Sequence, residues 1–123
     1  MSLNASGILL VEDDADQADL FSLILAKDGH TIFTTANAEA ALARLAEDPP
    51  VALLLADWDL PGMKGDALIR AVKSQYPALK TVLFSNHVHV NEAAAACGAD
   101  GWFRKMDEAG QLRRLIAGLL SHA

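Results

Sequence analysis

Five short runs rich in strand-forming residues, each bounded by polar residues and followed by helical periodicity, constrain this chain more than any other feature. The runs lie at residues 8–11, 31–35, 51–56, 81–84 and 102–104. The first and third, short and poor in alternation, suit strands buried on both faces. Between them the pattern turns helical. Asp14 with Gln17 resembles a capping box, and Ala18, Phe21 and Leu25, with Leu20 and Ile24, give an apolar stripe that stops near Gly29. Asn37 can cap a second helix with Ala38, Ala41, Leu42 and Leu45 inward, ended by Asp48-Pro49-Pro50. Leu68, Ile69, Val72 and Tyr76 space a third helix up to Pro77. A fourth begins at Asn91 and Glu92, but its run from Ala93 to Ala96 has high propensity and little to bury, which predicts weak docking. A fifth, from Asp107, places Leu112, Leu115, Ile116 and Leu119 on one face, with Arg113 and Arg114 on the solvated one. Five β-α alternations predict an α/β fold: a doubly wound five-stranded parallel sheet with right-handed crossovers and helices on both faces. The 123 residues fit a single domain, 1–123, with its core at about 7–121. Met1-Ser2-Leu3 leaves open that the chain is cut from something longer.

In a parallel sheet all carboxyl ends share one edge, where ligands bind in folds of this kind. Glu12 and Asp13 follow the first strand, Asp57 and Asp59 the third, Ser85 the fourth and Lys105 the fifth. Sequence order thus gathers acids, a hydroxyl and an ammonium in one place. Close carboxylates repel, and desolvation raises their pKa values unless a cation intervenes. Hard oxygen donors without cysteine or an obligatory histidine suit Mg²⁺, or Mn²⁺ in its place. Lys105, Ser85 and the backbone amides of the 57–60 turn can hold an anion opposite such a metal. Phosphoryl transfer needs that combination, because its catalysis is mostly positioning and charge neutralisation.

Charge narrows the partners. Ten Lys and Arg against sixteen Asp and Glu give a net charge of −6, which disfavours direct nucleic-acid binding by this domain. No apolar run reaches the roughly 20 residues of a membrane span and no signal peptide is evident, so a cytoplasmic location is expected. The lone Cys97 is expected to be a small buried filler that suits a reducing compartment.

Glu12-Asp13 after strand one, Asp57-Trp58-Asp59-Leu60-Pro61-Gly62-Met63-Lys64-Gly65 after strand three, Ser85 after strand four, and Gly98-Ala99-Asp100-Gly101-Trp102-Phe103-Arg104-Lys105 around strand five together resemble the receiver domains of two-component response regulators. The resemblance covers almost the whole chain and implies strand order 2-1-3-4-5. It further implies that Asp57 takes a phosphoryl group from a sensor histidine kinase or a histidine phosphotransfer protein. Asp13, Asp57 and the backbone carbonyl of Asp59 would hold Mg²⁺, with Glu12 acting through a metal-bound water. Lys105 would pair with the phosphoryl oxygen. Ser85 would reach toward it while Trp102 turns inward, changing the surface of the fourth helix, fifth strand and fifth helix for a downstream protein, an output domain or a second copy. Asp59 and His87 stand where the family tunes loss of the phosphoryl group. The chain would be a signalling module and not an enzyme beyond its own phosphorylation and dephosphorylation.

Two other readings compete. Asp57-Trp58-Asp59 after an apolar strand resembles haloacid-dehalogenase-type phosphatases, but there the motif opens the first core strand, whereas here an acid pair precedes it. A pseudo-receiver that binds its partner without phosphorylation is the other, and the bulk of Asn86 and Trp102 leaves room for it. Single residues also have plain readings: Asp14 as a helix cap, Trp102 as a half-buried interface residue, and His87 and His89 as surface loop side chains.

Overall fold

The computed structural model describes residues 6–121. Its elements alternate as β1 (Gly7–Val11), α1 (Ala15–Ala26), β2 (Thr31–Thr35), α2 (Ala38–Ala46), β3 (Leu53–Asp57), α3 (Gly65–Gln75), β4 (Lys80–Ser85), α4 (Val90–Cys97), β5 (Gly101–Arg104) and α5 (Ala109–Ser121). All strand pairs are parallel, and the order is β2-β1-β3-β4-β5. The expected doubly wound sheet is therefore present.

Alternation within the strands sorts the core into two layers. Leu9, Val11, Leu54, Ala56 and Leu83 face α2, α3 and α4, whereas Ile8, Leu10, Leu53, Leu55, Val82 and Phe84 face α1 and α5. Every residue of β1 and β3 is buried. At about 2 kcal/mol for each large apolar side chain removed from water, these central strands are a substantial part of the stabilising side of folding. Glu12 and Asp57 are thus fixed at the ends of fully buried strands. Among the described residues no helix is long and apolar enough to cross a membrane.

The helices refine the expected boundaries. Asp14 caps α1, its side chain accepting from the Gln17 amide, and Asn37 caps α2 through the Ala40 amide. In α1 the core face is Phe21 and Leu25, while Leu20 is 53% exposed; the i, i+4 pair leaves Leu20 rotated away from the sheet. In α5 the buried face is Leu112, Ile116 and Leu120, with Leu115 and Leu119 only half-buried beside it. Arg113 is not merely solvated, because it makes two hydrogen bonds, at 2.7 and 3.0 Å, to the carboxylate of Asp28 beyond α1. The expected weak docking of α4 also changes. The helix starts at Val90, one residue early, and Val90 and Ala94 are buried with Cys97, which fills space as expected. Gly98 ends it in the left-handed conformation at φ 79°, which glycine adopts without steric cost.

Asp100 is a structural tie. One of its carboxylate oxygens accepts from the Thr81 amide at 2.8 Å, the Lys73 ammonium at 3.0 Å and the Thr81 hydroxyl at 3.2 Å, joining the turn before β5 to α3 and β4. Burial opposes ionisation there, but the Lys73 and Thr81 hydrogen bonds win and hold its pKa below the usual carboxylate value. The stabilisation is present above about pH 4 and is lost as the pH falls through the depressed value. Asp100→Asn is expected to cost about 1–2 kcal/mol at pH 7, with a smaller penalty near pH 3; urea unfolding at both pH values measures this.

Candidate active site at the carboxyl edge of the sheet

The sheet register decides which polar side chains meet. Asp57 pairs with Phe84 and Ser85 with Arg104, so Asp57 and Ser85 are the last residues of β3 and β4 and not, as expected, the first beyond them. Both gain ladder positions that hold the backbone behind the site. Glu12 and Lys105 do lie just past β1 and β5.

Lys105 joins the edge into one cluster. Its ammonium donates to Glu12 Oε1 at 2.7 Å, to Asp57 Oδ2 at 3.1 Å and to Gln17 Oε1 at 2.5 Å, and lies 4.8 Å from the centroid of the Phe84 ring. Its side chain is 10% exposed, against 1% for Glu12 and 5% for Asp57. These charges are therefore little screened by solvent. The second oxygens are also held: Asp57 Oδ1 accepts from the Asp59 amide at 3.0 Å and Glu12 Oε2 from the Asp14 amide at 3.2 Å. Exposed Asp13 completes the group, and carboxylate oxygens of Glu12, Asp13 and Asp57 lie within 4.8 Å of one another.

Electrostatics follow from this crowding. Burial, reinforced by the Asp57 carboxylate and opposed by Lys105 and the Asp14 amide, pushes Glu12 from 4.5 to about 7. Burial alone would lower the Lys105 pKa, but Glu12 and Asp57 outweigh it and raise it. The ammonium stays charged while the acids crowd against it. Three adjacent hard oxygen donors with too little positive charge fit a small divalent cation such as Mg²⁺.

The other expected residues sit around this cluster. Ser85 is fully buried; its hydroxyl donates to Asp59 Oδ2 at 3.3 Å and accepts from the His87 amide at 3.0 Å. It meets Asp59 here and not Asp57. Exposed His87 sets its ring 5.1 Å from Trp58, and its Nδ1 accepts from the His89 amide. Trp102 points outward, 39% exposed, with the Arg104 guanidinium 5.0 Å above its ring. Neither Gln17 nor Arg104 is among the site residues that the sequence predicts. Gln17 forms half of the expected capping box, through its amide, and sends its side chain to Lys105. Arg104 donates to the Val88 carbonyl at 2.7 Å, bridging β5 to the loop before α4.

Comparison with known proteins places this geometry. Residues 8–117 match the family model described as response regulator receiver domain. The chain belongs to this family. As a receiver domain of two-component signal transduction, it is 35% identical over 115 residues to the response regulator protein FleR of Pseudomonas aeruginosa, covering 92% of this chain and 24% of FleR. It is 30% identical over 117 residues to the DNA-binding transcriptional regulator NtrC of Salmonella typhimurium, covering 94% of this chain and 25% of NtrC. The receiver spans about a quarter of the length of these curated relatives. Among solved structures, the receiver domain of NtrX from Brucella abortus superposes with a TM-score of 0.85 at 32% identity, covering 94% of this chain and 99% of that one.

Proposed function

We propose that this receiver is the phosphoacceptor of a two-component relay and that Asp57 is the residue phosphorylated. The observation that carries the reading is the Lys105 ammonium bridging Glu12 and Asp57 beside Asp13. A carboxylate oxygen of Asp57 attacks the phosphorus of a phosphohistidine on a sensor histidine kinase or phosphotransfer protein. The P–N bond breaks, and its electron pair stays on the imidazole nitrogen. Asp13, Asp57 and the Asp59 carbonyl would hold Mg²⁺ or Mn²⁺, with Glu12 acting through water. Such a metal supplies charge neutralisation at the phosphoryl oxygens. Lys105 meets the incoming phosphoryl oxygen as a point charge, and the Asp59 amide orients the attacking carboxylate. A cytoplasmic site of action goes with donors of this kind.

Switching follows from bonds already present. For Ser85 to reach the phosphoryl group its hydroxyl must leave Asp59, and the His87 amide that it holds moves with it. An inward turn of Trp102 likewise requires Arg104 to leave its ring. These exchanges would alter the surface of α4, β5 and α5, which would then meet a downstream protein, an output domain or a second copy. The Asp59 amide donates to Asp57 and the His87 amide to Ser85, so Asp59→Asn and His87→Ala are both expected to change the decay rate of the phosphorylated protein. Decay followed after removal of the donor checks this, and unchanged rates in both variants would remove these two residues from the account.

Phosphorus NMR with Mg²⁺ and acetyl phosphate tests the function. The expected result is one acyl phosphate held per chain and slowly lost. Continuous turnover of assorted phosphate esters would point to a haloacid-dehalogenase-type phosphatase, and no uptake to a pseudo-receiver.

A further inference from the structure

An ammonium has three protons, and all three of Lys105's are committed: to Glu12, to Asp57 and to Gln17. The three acceptors differ in kind. Glu12 and Asp57 are carboxyl members of the acid cluster, and each, when ionised, diminishes the field that the ammonium presents to an approaching anion. Gln17 is neutral and lies outside that cluster. Its amide oxygen fixes the direction of the ammonium while leaving its charge uncompensated. The placement of Gln17 is itself secured, because it stands in the first turn of α1 and its backbone amide donates to the capping carboxylate of Asp14 at 3.1 Å. Without this anchor only the two carboxylates would hold the ammonium, and its third proton would have no fixed acceptor.

We propose that Gln17 is a positioning residue for Lys105, whose neutral acceptor keeps the ammonium ordered but electrostatically available and so sets how fast Asp57 accepts a phosphoryl group. The inference deepens the phosphoacceptor reading and rests on it for its kinetic part.

Two variants separate ordering from charge: Gln17→Leu keeps the size and loses the acceptor, and Gln17→Glu keeps an acceptor but adds a negative charge. In metal-free protein, ¹⁵N NMR of the lysine ammonium groups reads ordering directly, with the Lys105 signal assigned by its absence in Lys105→Met. That slowly exchanging signal is expected in wild type and Gln17→Glu and should be lost in Gln17→Leu. Uptake from acetyl phosphate at saturating Mg²⁺ and donor is expected to fall about tenfold in both variants, the equivalent of about one charged hydrogen bond. A merely structural residue would shift the urea midpoint and leave the saturating rate and the ammonium signal alone. A persistent signal in Gln17→Leu, or wild-type uptake in either variant, overturns the proposal. If wild type takes up no phosphoryl group, the phosphoacceptor reading fails, while the ammonium signal still decides whether Gln17 positions Lys105.

Discussion

Replacing Gly65 by alanine is expected to destabilise the protein by about 3 kcal/mol or more and to cripple the site at the same time. A Cβ on residue 65 would lie 2.1 Å from the carbonyl oxygen of Asp57, 2.8 Å from its carbonyl carbon and 3.0 Å from the Cα of Trp58. These are backbone atoms of a buried strand end, so no side-chain rotation relieves the overlap. Either the start of α3 must back away or the end of β3 must shift, and in both cases the Gly65 amide loses its 3.0 Å bond to the Trp58 carbonyl. Asp57 then leaves the position in which Lys105 and the Asp59 amide hold its two oxygens. Gly118→Ala is the control. Gly118 lies in the exposed interior of α5, where an added methyl would meet nothing within 4 Å, so alanine there should stabilise by roughly 0.5–1 kcal/mol. Urea unfolding of both variants measures the contrast, and a Gly65→Ala protein as stable as wild type would contradict the close approach.

The second large effect concerns the ammonium at the centre of the acid cluster. Lys105→Met keeps the length and apolar stem of the side chain but leaves Glu12 and Asp57, 1% and 5% exposed, facing each other without it. Breaking a buried ion pair from one side typically costs about 3–5 kcal/mol, more than deletion of an exposed one. The pH dependence carries a sign. Glu12 already titrates near 7 with Lys105 in place, and loss of a group that lowers its pKa moves it higher. At about pH 5 Glu12 is protonated in both proteins and its share of the penalty is absent, whereas at about pH 8 wild type has released that proton beside Lys105 and the variant must either keep it or bear the charge unpaired. Lys105→Met should therefore be further below wild type at the higher pH than at the lower in metal-free buffer. Equal penalties at the two values would mean that Lys105 stabilises through its pair with Asp57 and not through Glu12.

Some of this was legible in the sequence because topology makes a strong statement from few residues. Once Ile8, Leu54 and Val82 belong to parallel strands, Glu12, Asp57 and Lys105 must share an edge wherever their side chains point. The strand ends were less legible. Asp57 and Ser85 are polar and look like punctuation, yet pairing with Phe84 and Arg104 carries each strand one residue further. Polar links between distant elements were the least legible of all. Nothing near Gln17 signals a partner 88 residues away, and Asp28 and Arg113 are 85 apart. Asp100 reads as an ordinary turn acid until Lys73 and Thr81 are seen on its oxygen. Such bonds depend on where helices come to rest on the sheet, which periodicity does not encode. Val90 shows the same for packing: it is fully buried because α4 begins a residue sooner than its helix formers suggest.

Intact mass of the protein after incubation with Mg²⁺ and acetyl phosphate, set beside Asp57→Asn and a chelator control, tests whether Asp57 is the phosphoacceptor. Wild type is expected to gain a single phosphoryl group, lost in Asp57→Asn and abolished by chelation. A phosphoryl group that persists in Asp57→Asn, or no gain at all by wild type shown separately to bind Mg²⁺, would contradict that role.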